Sequence, residues 1–239
     1  MPIYDFNDWS SPVLVSHDFI DNFQQISVTS LNNETIYVAV RYSSDFTVGL
    51  ISTNDFITFT DEGQFTPENS GQPISAYEGF TIFAANDPND PDGPEILWFH
   101  WIDRVYGIPY ISYTSPAEPR VLNTPFAEIG NVTLKTQLGV TSAVNIDGSN
   151  AMLMRVGSAQ TSFPSFYSLY YSMFDIKTMT VYEDEIQLTG LDSSVAQTAA
   201  MPTIVSSRYA GDVIRGKTLA VVWANYGDRL IYSFAGSPF

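Results

Sequence analysis

The sequence predicts an all-β chain built from four repeats of one four-stranded antiparallel module. Runs rich in Val, Ile, Tyr, Phe and Thr alternate with clusters of Gly, Pro, Asn and Asp, while helical periodicity is almost absent. Four short segments, LIST from Leu50, YISY from Tyr110, YYSM from Tyr170 and IYSF from Ile231, set Ser52, Ser112, Ser172 and Ser233 at intervals of 60, 60 and 61 residues. Each segment follows a longer apolar run, so the order of strands repeats with the serines.

The strands of a repeat are taken in order as a, b, c and d. The a strands are QISVTS from Gln25, FTIFAA from Phe80, TSAVNI from Thr141 and PTIVSS from Pro202. The b strands are TIYVAVRY, ILWFHWI, AMLMRV and TLAVVWA, the longer apolar run of each repeat. The serine segments are c, and ITFT from Ile57, RVLN from Arg120 and TVYED from Thr180 are d. The repeats therefore span about 25–63, 78–126, 140–188 and 201–239. The fourth lacks a d strand. The N-terminal IYDFNDW, residues 3–9, or the slightly later PVLV, supplies it, because pairing there satisfies edge N–H and C=O groups on both sides. Four sheets closed in this way make a four-bladed β-propeller in a single domain. The alternative is a two-sheet β-sandwich.

Composition narrows the partners. With 239 residues and 44% hydrophobic content the chain buries a sizeable core. Its 26 acidic residues face only 10 basic ones, a net charge of −16, which argues against nucleic acid or an anionic membrane as partner. The absence of cysteine removes disulfides, thiolate metal sites and cysteine nucleophiles together. No run approaches the roughly 18 apolar residues of a membrane span, and MPIYDFNDWSS lacks the basic and apolar regions of a signal peptide. Few lysines with surplus acid fit an extracellular or virion setting. Asn33 and Asn131 stand in glycosylation sequons, relevant only to a secretory route.

The stretch LISTNDFITFTDEG, residues 50–63, resembles the Asp-box of sialidase-type propellers, Ser-x-Asp-x-Gly-x-Thr-Trp at the turn between third and fourth strands. Ser52, Asp55, Thr58 and Phe59 match it, with the Asp one place late, no Gly, and Phe in place of Trp. The pattern is clear in one repeat. In that family the box is a structural turn away from the active site, so the resemblance implies a turn at Asp55, not a nucleophile at Ser52. Asp55 is expected to accept backbone N–H bonds, and Phe59 to pack between sheets. The blade count resembles that of hemopexin-like domains, but their Asp-Ala strand starts are missing.

In a propeller the b–c and d–a connections share one face and the a–b and c–d turns share the other. The b–c connections RYSSDF, WIDRVYG, VGSAQTSFPSF and ANYGDR carry aromatic and charged residues suited to stacking on a ligand and bonding it directionally. Arg41, Tyr42, Trp101, Asp103, Arg104, Tyr106, Tyr226 and Asp228 are the expected ligand contacts, with inter-blade packing or an oligomer contact as the competing use. In NDPNDPDGPE, residues 86–95, Asp87, Asn89, Asp90 and Asp92 supply hard oxygen atoms that suit calcium, the only cofactor the sequence offers; a plain solvated loop is the other reading.

Catalytic signals are few. A glycosidase needs two carboxylates about 5 to 10 Å apart. The a strands as delimited above hold no acid, while Glu78, Asp147 and Arg208 flank them without a pattern, and Glu183 and Glu185 sit on an outer strand. His17 lies in a connection. His100, between Phe99 and Trp101, is three residues from Asp103 and so on the opposite side of a regular strand, which makes it a packing residue. No catalytic residue is assigned. The expectation is a non-enzymatic recognition or structural module binding a glycan or protein surface through its b–c face, as a virion or phage surface protein or a secreted lectin-like protein, with a larger assembly in reach. The alternative is a compact glycosidase- or sialidase-like hydrolase, which requires two acids or an arginine cluster at the mouth.

Overall fold

The computed structural model describes residues 23–32, 34–42, 47–66, 68–69, 72–73, 77–103, 109–115, 117–122, 127–128, 141–145, 150–157, 168–187, 199–206, 219–225 and 230–236. The described residues form four sheets in chain order, each a meander of sequential antiparallel strands. The first contains β1 (Phe23–Ser30), β2 (Ile36–Tyr42), β3 (Val48–Thr53) and β4 (Thr60–Phe65), and a two-strand ribbon follows, β5 (Glu68–Asn69) with β6 (Gln72–Pro73). The second contains β7 (Tyr77–Asp87), β8 (Asp90–Asp103), β9 (Pro109–Ser115) and β10 (Glu118–Leu122), with β11 (Ala127–Glu128) also paired to β9. The third contains β12 (Thr141–Asn145), β13 (Asn150–Gly157), β14 (Ser168–Asp175) and β15 (Thr180–Gln187). The fourth has β16 (Ala199–Ser206), β17 (Leu219–Asn225) and β18 (Leu230–Gly236). Its expected closing strand, residues 3–9, lies outside the described residues.

The leading strand of each sheet packs on that of the next: β7 lies against β1 on one side and β12 on the other, and β12 against β16. This makes the second sheet a middle layer. Phe80, Ile82 and Ala84 of β7, with Leu97, Phe99 and Trp101 of β8, join Tyr37, Ala39, Val48 and Leu50 of the first sheet. The alternate residues Phe83 and Ala85, with Ile96 and Trp98, join Phe174 and Ile176 of the third. A strand covered on both faces has no polar side to show, which is why FTIFAA and ILWFHW read as unbroken apolar runs. Trp98 illustrates the fit: it is fully buried against Phe83, Tyr113 and Phe174 at ring-centre distances of 6.1, 4.9 and 6.2 Å. Its Nε1–H donates to the Asn86 carbonyl at 3.1 Å, so the indole brings no unsatisfied donor inside.

The serine ruler is built into the sheets. Ser52, Ser112 and Ser172 are all buried in third strands. Three residues after each, a side-chain oxygen accepts the N–H three places on and so closes the corner into the fourth strand. Asp55 Oδ1 takes Thr58 N–H at 2.7 Å and Ile57 N–H at 2.8 Å, Ser115 Oγ takes Glu118 N–H at 3.2 Å, and Asp175 Oδ1 takes Thr178 N–H at 2.9 Å. The expected role of Asp55 holds, and the motif extends further than the sequence pattern showed. It occupies three sheets, disguised in the second because serine replaces aspartate.

One boundary differs from expectation. Residues 86–95 are not a long loop but a tight hairpin, with β7 running to Asp87, β8 starting at Asp90 and Pro88–Asn89 at the tip. Asp87 Oδ1 makes this possible by accepting Asn89 N–H at 2.8 Å, a side-chain substitute for a backbone turn bond.

Candidate functional site

Because each sheet is a meander, its first strand starts where its second ends. With leading strands side by side, these points gather at one end of the sheets, here the rim end; the capped corners and the Asp87–Asp90 hairpin lie at the other, the turn end. Register identifies what stands at the rim. Gln25 pairs with Arg41 and Phe23 with Tyr42 in the first sheet; Tyr77 pairs with Asp103 and Glu78 with Ile102 in the second; Thr141 pairs with Arg155 in the third; Ala199 pairs with Asn225 in the fourth. Asp103 and Asn225 thus end the second strands of their sheets, while Arg41 and Arg155 stand one and two residues before the ends of theirs. Arg41 and Arg155, two of the chain's 10 basic residues, stand near the rim in the sheets on either side of the second.

The leading strands are also irregular at this end. The register slips between Phe23 and Gln25, between Glu78 and Phe80, and between Ala200 and Thr203. A bulge releases the residues beside it from strict two-residue alternation, and bulges concentrate where a strand must present side chains to a site. Gly79, lying inside the slip after Glu78, and Pro202 in the fourth sheet are residues that disturb ladders.

Of the residues assigned from sequence, Arg41, Tyr42 and Asp103 stand at the rim ends of their strands. Arg104, Tyr106, Tyr226 and Asp228 lie outside the described residues. Trp101 is fully buried and stacked on Tyr110 at 5.8 Å, inside the seam between the first two sheets. Asp87, Asn89, Asp90 and Asp92 belong to the turn end. There Asn89 Nδ2 donates to Asp87 Oδ1 at 3.1 Å and to Tyr113 Oη at 3.2 Å, and the Asp90 carboxylate lies against Gly93 in space a Cβ would occupy. Among the described residues no three of His, Asp and Glu converge in a way that would hold a metal ion.

His100 is buried, with Nδ1 at 2.9 Å from the Tyr110 carbonyl, in the packing role expected of it. Ser52 Oγ donates to Glu62 Oε1 at 2.6 Å at the turn end, and burial, followed by the Glu62 charge, raises the pKa of the neighbouring Tyr37. Asp55 titrates below an ordinary carboxylate, chiefly because of the N–H bonds from Thr58 and Ile57.

Two residues escaped the sequence reading. The sequence puts Glu78 outside the leading strand, ahead of Phe80; β7 begins at Tyr77 and includes Glu78, one step along from Asp103 across the ladder. The Glu-Gly pair ahead of FTIFAA was the available signal, since glycine inside a strand marks a bulge. Arg155 was hidden inside an apolar run, where only its pairing with Thr141 shows it to be at the strand's rim end.

No family model and no curated protein matches the sequence. Solved structures do. An α-L-arabinofuranosidase of Fusarium graminearum with an iminosugar inhibitor superposes with a TM-score of 0.58 at 9% identity, over 90% of this chain and 61% of that one. An α-L-arabinofuranosidase of Lactobacillus brevis gives 0.51 at 14% identity, over 89% and 71%. A β-1,2-mannobiose phosphorylase of Listeria innocua gives 0.51 at 14% identity, over 90% and 57%. The chain therefore spans between 57% and 71% of the length of these three proteins. At such identities the likeness is one of fold: the chain is all-β, with the propeller-type fold of glycoside-acting enzymes. This overturns the expectation of a non-enzymatic recognition module, lectin-like or virion-borne, because the proteins of like fold cleave or transfer sugars. The premise behind that expectation, an inner strand without acids, also fails at Glu78.

Proposed function

We propose that the chain is a glycosidase-like hydrolase whose working face is the rim end of its sheets. The observation that carries this reading is the bulged start of β7, where Glu78 stands one step from Asp103 across the ladder, with Arg41 and Arg155 near the same end of the neighbouring sheets. Hydrolysis of a glycosidic bond needs one carboxyl group to protonate the leaving oxygen and a second to activate water or attack the sugar. We assign the first role to Glu78 and the second to Asp103, which the regular step from Tyr77 to Glu78 puts on the other face of the ladder and which, as the last residue of β8, reaches the same ligand over the rim edge. Arg41 and Arg155 orient sugar hydroxyls by directional hydrogen bonds, and Tyr42 at the end of β2 joins Arg104, Tyr106, Tyr226 and Asp228 of the b–c connections in gripping the rest of the glycan. The four sheets are the four blades of one domain, about 25–63, 78–126, 140–188 and 201–239, with residues 3–9 as the outer strand of the last.

The test is release of nitrophenol from a panel of 4-nitrophenyl glycosides, α-L-arabinofuranoside first, with and without inorganic phosphate. Glu78→Gln and Asp103→Asn should each lower turnover by about 10²- to 10⁴-fold, the usual contribution of a positioned acid or base. A full-length protein silent on the whole panel, or variants that keep full turnover, would remove the proposal.

A further inference from the structure

Two corners between third and fourth strands hold a residue with a Cβ in the left-handed conformation, and they differ in what its side chain does. Met179, with a φ of 55°, packs its side chain on the cluster that contains Trp98 and Phe174. Phe56, with a φ of 58°, is 61% exposed, and Ile57 beside it is 77% exposed; these are the two most exposed large apolar side chains among the described residues. The conformation is unfavourable for any residue with a Cβ. Packing offsets it at Met179, whereas the Phe56 ring gains little contact within the chain. The corner does not need either apolar side chain. Thr53 Oγ1 accepts the N–H groups of Asp55 and Phe56 at 3.3 and 3.0 Å, and Asp55 Oδ1 accepts those of Ile57 and Thr58, so the turn is held by backbone atoms that any residue supplies. A costly backbone conformation that leaves an aromatic and a β-branched side chain side by side in solvent points to a use outside the chain.

Charge selects the kind of partner. From Tyr42 to Asp103 the chain contains no Lys or Arg. Asp55 and Asp61 flank the exposed pair on the first sheet, and Asp87, Asp90 and Asp92 stand at the same end of the second; all but the half-buried Asp87 are exposed. Asp55 and Asp87 take their hydrogen bonds from neutral N–H and O–H groups, which leave the negative charge in place. We infer that the Phe56–Ile57 corner is the docking site for a cationic protein surface, one that offers an apolar pocket to the two side chains and sets lysines or arginines around it. The aromatic ring anchors the contact and the surrounding carboxylates steer the approach and fix the partner's sign. The same charges repel a second copy of this face. The corner lies at the opposite end of the sheets from Glu78 and Asp103, so a partner held there leaves the rim open.

The probe is a phage-displayed library of random peptides panned on the full-length chain. Enriched peptides should combine Lys or Arg with Leu, Phe or Trp. Their affinity, measured one peptide at a time, should fall about tenfold or more on the variant that joins Phe56→Gly to Ile57→Ser, the loss expected for removing an anchor. It should also weaken as NaCl is raised from about 50 to about 500 mM, which screens the carboxylates. Glycine accepts the left-handed conformation at position 56, so the variant keeps the corner, and an unchanged denaturant midpoint checks this. A library that enriches nothing, that enriches peptides without basic residues, or that yields peptides binding wild type and variant equally would overturn the proposal. So would a wild-type dimer in sedimentation that the variant loses, because the occupant is then a second copy.

Discussion

The two ends of the sheets are built to different rules. At the turn end, side-chain oxygens replace missing backbone partners at corner after corner: Asp55, Ser115 and Asp175 in three sheets, and Asp87 at the β7–β8 hairpin. Register slips here too, between Asn86 and Asp87 and between Tyr171 and Phe174, but charge is spent on local bonds. At the rim end three of the four leading strands slip register, Asp103 ends β8, and Arg41 and Arg155 stand within two residues of the ends of β2 and β13. The contrast separates two uses of the same residue type. An aspartate bonded to the N–H groups of its own turn holds the chain, whereas Glu78 and Asp103, on paired strands at a bulge, are the residues we propose for work on a ligand.

That contrast is open to attack at several points. The heaviest is Glu78→Gln, which should abolish most glycoside turnover without shifting the denaturant midpoint; a large loss of stability instead would make the rim a structural element like the turns. Trp98→Ala, in the middle layer that both ends depend on, should cost about 3–5 kcal/mol in equilibrium unfolding, the range for large aromatic truncations. Ser52→Ala removes the bond to Glu62 and should cost about 1 kcal/mol, with turnover per folded molecule unchanged.

Asp55 gives a sharper, pH-resolved version. Its folded pKa is depressed by the Thr58 and Ile57 N–H bonds, so the stability it contributes is present above its unfolded value of about 4 and is lost as pH falls through the lower folded value. Wild type should therefore exceed Asp55→Asn in thermal midpoint at neutral pH, and the gap should close on acidification below about 4. A gap independent of pH would mean that the turn does not depend on the carboxylate charge. The smallest effect belongs to Phe56, 61% exposed with a φ of 58°. A left-handed conformation costs a residue with a Cβ about 1–2 kcal/mol, partly offset by the extra freedom of unfolded glycine, so Phe56→Gly should stabilise the chain by at most about 1 kcal/mol.

Much of the fold could be read directly. The serine spacing found the strand order and the corner at Asp55 because buried, repeated contacts leave a period in the chain. What stayed hidden depended on register. The caps at Ser115 and Asp175 need a partner three residues on, not a particular residue type, so a search for aspartate in a fixed pattern finds only the first sheet. In the sequence Trp101 has the character of a rim aromatic, because an indole suits a sugar and a core equally well; only packing against both the first sheet and Tyr110 decides between them. Glu78 was lost to a strand boundary, and a bulge is a property of two paired strands that neither shows alone.

The capped corners also bear on how the chain reaches its native state. Each closes a connection of a few residues between strands adjacent in sequence, so the pairings of a sheet form from near neighbours at small loop-closure cost. Asp55, Ser115 and Asp175 then favour early, independent hairpins, and the slow step shifts to docking one finished sheet on the next. In kinetic terms, substitutions at the corners should slow refolding, whereas those at the joints around Trp98 should chiefly hasten unfolding.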